Sequence, residues 1–163
     1  MKKIDKSFPY KSILIACSVN TARSPMAEGF LKDYFIKNKA KIDVNSCGVS
    51  SNARDGMLIS LDSRLVMREI GIELSEVNSS KDLKKHPELL NGVDLILTLT
   101  EQHKKEILNI EEALNKKAYT LKEFAGESGD IEDPSMKGIK GFKKARDEII
   151  EYLVKALEKY DFN

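Results

Sequence analysis

The chain has 163 residues, enough for one domain with its own hydrophobic core, and 27 lysines plus arginines offset 26 acidic residues for a formal charge of +1. Nothing in that balance points to nucleic acid or an acidic polymer as partner. No apolar run reaches membrane-spanning length, and Met1-Lys2-Lys3-Ile4-Asp5-Lys6 lacks the apolar centre of a secretion signal, so the expectation is a cytoplasmic protein with no membrane partner.

Two cysteines, Cys17 and Cys47, are too few for a disulfide framework or a four-ligand zinc site and suit a reducing compartment. Residues 1–11 read as a loosely held N-terminal extension without chemistry, and 12–163 as one domain. Ile13-Leu14-Ile15-Ala16 predicts a buried strand, and Ser24-Pro25 a helix entrance with Ser24 as N-cap and Pro25 at the first helical position. Between them runs a tight loop, Cys17-Ser18-Val19-Asn20-Thr21-Ala22-Arg23.

A loop that leaves a parallel strand and enters a helix turns its backbone N–H groups inward, where the helix dipole adds positive potential. An anion is its natural occupant. Arg23 can grip phosphate-type oxygens with two prongs, and the same field favours a nucleophilic thiolate at Cys17. The bland alternative is a small buried cysteine and a solvated helix-start arginine. The strand before and the Ser-Pro helix after weigh against it.

Further along, Met26, Ala27, Phe30, Leu31, Tyr34 and Phe35 recur at helical spacing to about Asn38. Residues 42–46 alternate as a short strand, and 47–52 read as a loop. Leu58, Leu61, Leu65, Val66 and Ile70 predict the apolar face of a second helix, stopped by Gly71. The strongest strand signal is Val93 to Leu99, apolar throughout as a central parallel strand should be; Lys117 to Leu121 is shorter. A loop at about 122–138 precedes a long helix marked by Phe142, Ala145, Ile149, Leu153 and Leu157. The alternation predicts an α/β fold, a single doubly wound parallel sheet of about four strands flanked by helices. Its ligand would sit beyond the carboxyl ends of the strands, where Cys17 lies.

Cys17-x5-Arg23-Ser24-Pro25 at the first strand-to-helix turn, followed by Met26-Ala27-Glu28, and a late Asp133-Pro134 pair resemble the signatures of the low-molecular-weight protein tyrosine phosphatases. The resemblance runs from about Ser12 onward. It implies hydrolysis of phosphoprotein monoesters through a phosphocysteine, without metal or cofactor, releasing inorganic phosphate. Cys17 would attack phosphorus, Arg23 and the amides of residues 18–23 would hold its oxygens, and Asp133 would protonate the leaving atom. Asp130 and Glu132 stand close enough in sequence to compete with Asp133 or to raise its pKa by like-charge repulsion. Ser24 matches a serine that supports the thiolate, Asn20 an asparagine that fixes the loop backbone, and Ser46 a serine that hydrogen-bonds the loop. Asn52, on the loop that skirts the pocket, joins Ser135 and Met136 as candidate selectivity residues.

Three departures stand out. The family usually has Gly at position 19 and a second Cys at 22, whereas this chain has Val19 and Ala22. Valine disfavours positive φ, so the backbone there must stay in the β or α region or bear strain. A pocket-side histidine has no match near Asn78-Ser79-Ser80, and His86 and His103 read as helix-surface residues. Phosphotyrosine is the family's default substrate. Thr21, carried by the protein arginine phosphatase branch, makes phosphoarginine the alternative, as do the 97–103 segment and the lack of aromatic residues after Pro134. An arsenate reductase would need further cysteines for its electron relay. A non-enzymatic oxyanion-binding module is the reading from another class, and it predicts binding without turnover.

Overall fold

The computed structural model describes residues 6–74 and 79–162. Four parallel strands, β1 (Ser12–Cys17), β2 (Asp43–Gly48), β3 (Leu95–Thr98) and β4 (Ala118–Thr120), form one sheet in the order β2-β1-β3-β4. β1 therefore has a strand on either side, and its last residue, Cys17, pairs with Gly48. Period-two alternation sends Ile13, Ile15 and Cys17 to one face of the sheet and Leu14 and Ala16 to the other.

The first face is covered by α1 (Arg23–Lys37), α2 (Leu61–Arg68) and α5 (Gly138–Leu157), whose Met26, Leu31, Phe35, Val66, Met67, Ile149 and Leu153 join its core. On the second face, Ile107 of α3 (Glu101–Ile110) packs with Leu83 and Leu114, each on a turn of 3-10 helix. All five marker residues of the final helix are buried. Gly71 takes φ of +80° as α2 ends, the left-handed backbone that a glycine accepts without strain.

Several expectations change. Residues 6–10 are not loosely held: the Phe8 ring is buried against Phe35, Tyr160 and Phe162, at centroid distances of 5.6, 5.0 and 5.2 Å, and Asp161 N–H donates to Lys6 O at 2.7 Å. Cys47 and Gly48 extend β2, because each pairs with a residue of β1 to its end. The stretch expected as a loop from about 122 begins as one helical turn, α4 (Leu121–Phe124). It is closed by a capping box in which Thr120 and Glu123 satisfy each other's backbone N–H.

The α2 expectation errs most. Leu58 and Leu61 are 75% and 61% exposed, while Ser63, Val66 and Met67 are sealed in. Residues 63, 66 and 67 make a helical stripe of their own, with Val66 and Met67 in the core shared with α1 and α5, and Arg146 of α5 adds a tie, its Nη1 donating to Val66 O at 2.8 Å and to Glu69 Oε1 at 2.9 Å. Leu58 precedes the helix and forms an antiparallel bridge with Ser79.

Candidate active site

β1 stops at Cys17 and α1 starts at Arg23, so the six-residue spacing becomes a loop closing over the carboxyl end of the sheet. Ser24 is not the N-cap. Ala22 holds that position with no side-chain cap, and Ser24 lies inside the first turn, fully buried. The reason is a competing partner: Ser24 Oγ is 2.8 Å from Cys17 Sγ and accepts a hydrogen bond from Asn20 Nδ2 at 2.8 Å. The helix's first N–H groups are left without a side-chain cap, as an anion site requires.

Asn20 carries the loop's left-handed residue, φ +63°, and Val19 has no positive φ. Asparagine tolerates that region better than any β-branched residue. Its side chain is fully engaged: Nδ2 also donates to Ser46 Oγ at 2.9 Å, and Oδ1 accepts from Lys81 N–H at 2.9 Å. Ser46 in turn donates to Glu28, which also pairs with Lys32 at 2.5 Å. Hydrogen bonds thus link the Glu28 carboxylate through Ser46, Asn20 and Ser24 to the Cys17 sulfur, with Asn20 Nδ2 donating both to Ser46 and to Ser24. A cleft of about 490 Å3 opens behind it, lined in part by Asn20, Glu28 and Ser46 but not by Cys17.

Gly48 lets β2 press on the loop. A Cβ there would stand 2.8 Å from Ser18 O and 2.9 Å from Val19 C, both backbone atoms. Ser18 O also accepts from Ser50 N–H at 3.0 Å and from Ser50 Oγ at 2.8 Å.

Arg23 is 5% exposed. Its Nη1 donates to Ile131 O at 2.8 Å and its Nη2 lies 4.0 Å from Asp133 Oδ2. The guanidinium thus ties the loop to the segment bearing Asp133, whose side chain is 57% exposed. Burial pushes the Asp133 carboxyl up. Hydrogen bonds from Ser135, whose N–H donates at 2.9 Å, together with the Arg23 charge, outweigh it and hold the group below its ordinary value. The expected upward shift by neighbouring acids is thereby overturned. Asp130 Oδ1 instead accepts from Glu101 N–H at 2.8 Å at the start of α3, and Glu132 pairs with Lys137 and Lys144.

His103 is the residue that sequence reasoning missed. It is 3% exposed, not a helix-surface residue, and its Nε2 lies 2.8 Å from Ser18 Oγ. One signal was available. Thr100-x-x-His103 opens the helix after the central strand; Thr100 Oγ1 caps His103 N–H at 3.1 Å, and a residue so early in that helix stays beside the sheet's carboxyl edge. His86 lies apart from the loop, between Asp55 at 2.8 Å and Glu88 at 2.9 Å.

Of the selectivity candidates, Thr21 is partly buried, and its hydroxyl makes no hydrogen bond among the described residues; its carbonyl accepts from Ser60 N–H at 2.8 Å. Asn52 is exposed and accepts a hydrogen bond from Ser50. Ser135 turns back on Asp133, and Met136 is fully exposed with φ of +69°. Asn78 lies outside the described residues. Cys47 is buried on the opposite face of the sheet from Cys17, and burial pushes its thiol up. Among the described residues no group of three or more His, Cys, Asp or Glu could hold a metal ion, and no helix is long and apolar enough to cross a membrane.

The profile of the low molecular weight phosphotyrosine protein phosphatase family matches residues 12–161. A protein-arginine-phosphatase of Geobacillus stearothermophilus is 36% identical over 152 residues, 93% of this chain and 96% of that protein. The crystal structure of a low molecular weight protein tyrosine phosphatase from T. tengcongensis superposes with a TM-score of 0.82 at 32% identity, covering 91% of this chain and 98% of that one. A mutant of the YwlE arginine phosphatase with a phosphorylated active-site serine superposes with a TM-score of 0.81 at 32% identity, covering 88% and 91%.

Proposed function

This chain belongs to the low-molecular-weight phosphotyrosine protein phosphatase family, and from that premise we propose that it is a cysteine-dependent phosphatase of phosphoarginine in proteins. Cys17 Sγ attacks phosphorus in line, Arg23 and the amides of residues 18–23 hold the equatorial oxygens, and the bond to the leaving nitrogen breaks as Asp133 gives that nitrogen its proton. A phosphocysteine forms. Asp133, now a carboxylate, takes a proton from a water that attacks phosphorus, freeing inorganic phosphate and the thiolate. Arg23, the loop amides and the helix N-terminus carry the phosphate charge through both steps, so the mechanism calls on neither metal nor cofactor. The phosphorylated active-site serine seen in a relative of the same fold supports covalent transfer to the loop's first residue.

The hydroxyl of Thr21, without a hydrogen-bond partner among the described residues, carries the choice of leaving group. A guanidinium offers N–H groups that a threonine oxygen, directly or through water, can accept. A phenol ring wants an apolar wall, and the residues after Pro134 are Ser135 and Met136 rather than aromatics. The strong likeness to a protein-arginine-phosphatase agrees. Phosphotyrosine is the second reading, favoured by the likeness to a tyrosine phosphatase at nearly full coverage. A reducing cytoplasm suits a site that depends on a free Cys17 thiol.

Side-by-side turnover of matched phosphoarginine and phosphotyrosine peptides tests this. Higher kcat/KM on phosphoarginine is expected, with none in Cys17→Ser. Preference for phosphotyrosine would reverse the substrate assignment, and oxyanion binding without turnover of either peptide would leave only a binding module.

A further inference from the structure

His103 Nδ1 is buried with no hydrogen-bond partner among the described residues, while Nε2 lies 2.8 Å from Ser18 Oγ. A neutral imidazole has one N–H and one lone pair to place on these two nitrogens. If the hydrogen were on Nδ1, the orphan would be a buried donor, the kind of unpaired polar group that folded proteins avoid most strictly. On Nε2 the hydrogen is used, and only a lone pair goes unpaired. Burial and the Arg23 guanidinium push the imidazole down to about 4, against weaker opposing pulls from Asp130 and Asp133, so the ring is neutral at working pH. A cationic ring would crowd Arg23, whose charge the loop needs for phosphate.

The direction of this bond decides what Ser18 can do. When Ser18 Oγ accepts from His103, its own hydrogen stays free, and among the described residues it has no other partner. Ser18 is partly exposed, and its carbonyl accepts from Ser50 N–H and Ser50 Oγ. Ser18 directly follows Cys17 on the loop that closes over the carboxyl end of the sheet, where an anion would sit.

Resting on the phosphatase reading, we infer that His103 is a positioning residue of the loop: as the Nε2–H tautomer it donates to Ser18 Oγ and turns the Ser18 hydroxyl hydrogen toward the phosphoryl group. Ser18 thereby adds a side-chain donor to those supplied by Arg23 and the loop amides. The donor is set before substrate arrives, so no reorganisation is needed as charge develops on the phosphoryl oxygens.

Long-range 1H–15N NMR on histidine-labelled protein, with the His103 signals assigned through His103→Gln, reads the tautomer without any catalytic assay. One neutral Nε2–H species, unchanged between pH 5.5 and 8, is expected; an Nδ1–H tautomer or an imidazolium at pH 7 would overturn the inference. Kinetics supply the second readout. His103→Met, similar in bulk but without a donor, should lower kcat about tenfold with KM little changed. His103→Gln, whose amide N–H can reach Ser18, should recover most of that loss. In a Ser18→Ala background His103→Met should cost nothing further. Equal losses for Gln and Met, or a Met effect that persists without the Ser18 hydroxyl, would reduce His103 to a packing residue. A wild type that turns over no phosphopeptide would remove the phosphatase reading, and the tautomer would still judge the contact.

Discussion

Ser24 Oγ lies 2.8 Å from Cys17 Sγ and accepts from Asn20 Nδ2, which leaves its single hydrogen free for the sulfur, and when Cys17 is a thiolate that hydrogen is the only one the pair can share. The Asn20 amide cannot reverse this polarity, because its oxygen accepts from Lys81 N–H and its nitrogen donates to Ser46 as well. A donor aimed at sulfur stabilises the thiolate over the thiol. Hydrogen bonds to charged groups contribute about 1.5–3 kcal/mol, so Ser24→Ala should lower kcat/KM by about 10- to 100-fold. Alkylation of Cys17 by iodoacetamide at pH 7 should slow in parallel. Unchanged alkylation would detach Ser24 from the nucleophile.

Asp133 sits 4.0 Å from Arg23 Nη2 and is held below its ordinary value in the free protein, mostly ionised at neutral pH. A phosphate dianion placed between them changes both influences. It engages the guanidinium and adds negative charge, and both effects raise the Asp133 carboxyl toward the protonated form that a general acid requires. The pH limb of kcat, which reports the bound complex, should therefore lie above the corresponding limb of kcat/KM. Asp133→Asn should slow substrates with poor leaving groups far more than activated aryl phosphates. If Asp130→Asn gave that selective loss instead, the wrong carboxylate has been assigned. The depressed value also has a stability consequence of definite sign. The Asp133 carboxylate contributes fully above the unfolded value, and the contribution disappears as pH falls through the folded one.

Cys47 pairs with Ala16 across the sheet, one residue out of step with Cys17, so the two thiols project from opposite faces. A disulfide would have to pass through the sheet. Peroxide should carry Cys17 from sulfenic to sulfinic and sulfonic acid with no intramolecular bridge, since Ala22 offers no thiol within the loop. Intact mass with peptide mapping checks this, and a Cys17–Cys47 disulfide would overturn it.

What could be read from the sequence depended on whether a residue had one reasonable partner or several. The strand at 13–16, the long final helix and the Cys17 to Arg23 loop were legible because an unbroken apolar run, a full-length stripe and a fixed spacing each admit one arrangement. Ser24 departs from expectation because a serine before a proline makes a good N-cap in isolation, whereas the sulfur that engages its hydroxyl belongs to a residue seven positions earlier. Leu61 lies on one of two apolar stripes of α2 and the tertiary packing buries the other, with Val66 and Met67, while Leu58 precedes the helix and pairs with Ser79 instead. His103 touches Ser18 across 85 positions, a contact that only the pairing of β1 with β3 creates.

Phe8 was equally hidden, since its partners lie on α1 and beyond α5. Phe8→Ala should destabilise the fold by about 3 kcal/mol, the lower end for a buried phenylalanine, given that the residue sits at the margin of the core. Chemical denaturation measures it. At temperatures where the variant stays folded, kcat should match wild type, because the ring packs near the chain termini rather than on the loop. A shift below about 0.5 kcal/mol, the range of ordinary surface substitutions, would mean that residues 6–10 are not held in solution.

Thr21 gives the most direct test of the leaving group. Its carbonyl is fixed by Ser60 N–H at 2.8 Å, so the loop backbone does not depend on the side chain, and its hydroxyl makes no hydrogen bond among the described residues. Thr21→Ile exchanges that hydroxyl for apolar bulk. The added carbon packs against a phenol ring but offers a guanidinium no acceptor, so phosphoarginine turnover should fall while phosphotyrosine turnover holds or rises. The quantity to follow is the ratio of kcat/KM for matched peptides, wild type against variant. One lost hydrogen bond of about 1.4 kcal/mol moves that ratio about tenfold. A parallel drop on both substrates would assign Thr21 to loop structure, and an unchanged ratio would return phosphotyrosine to first place.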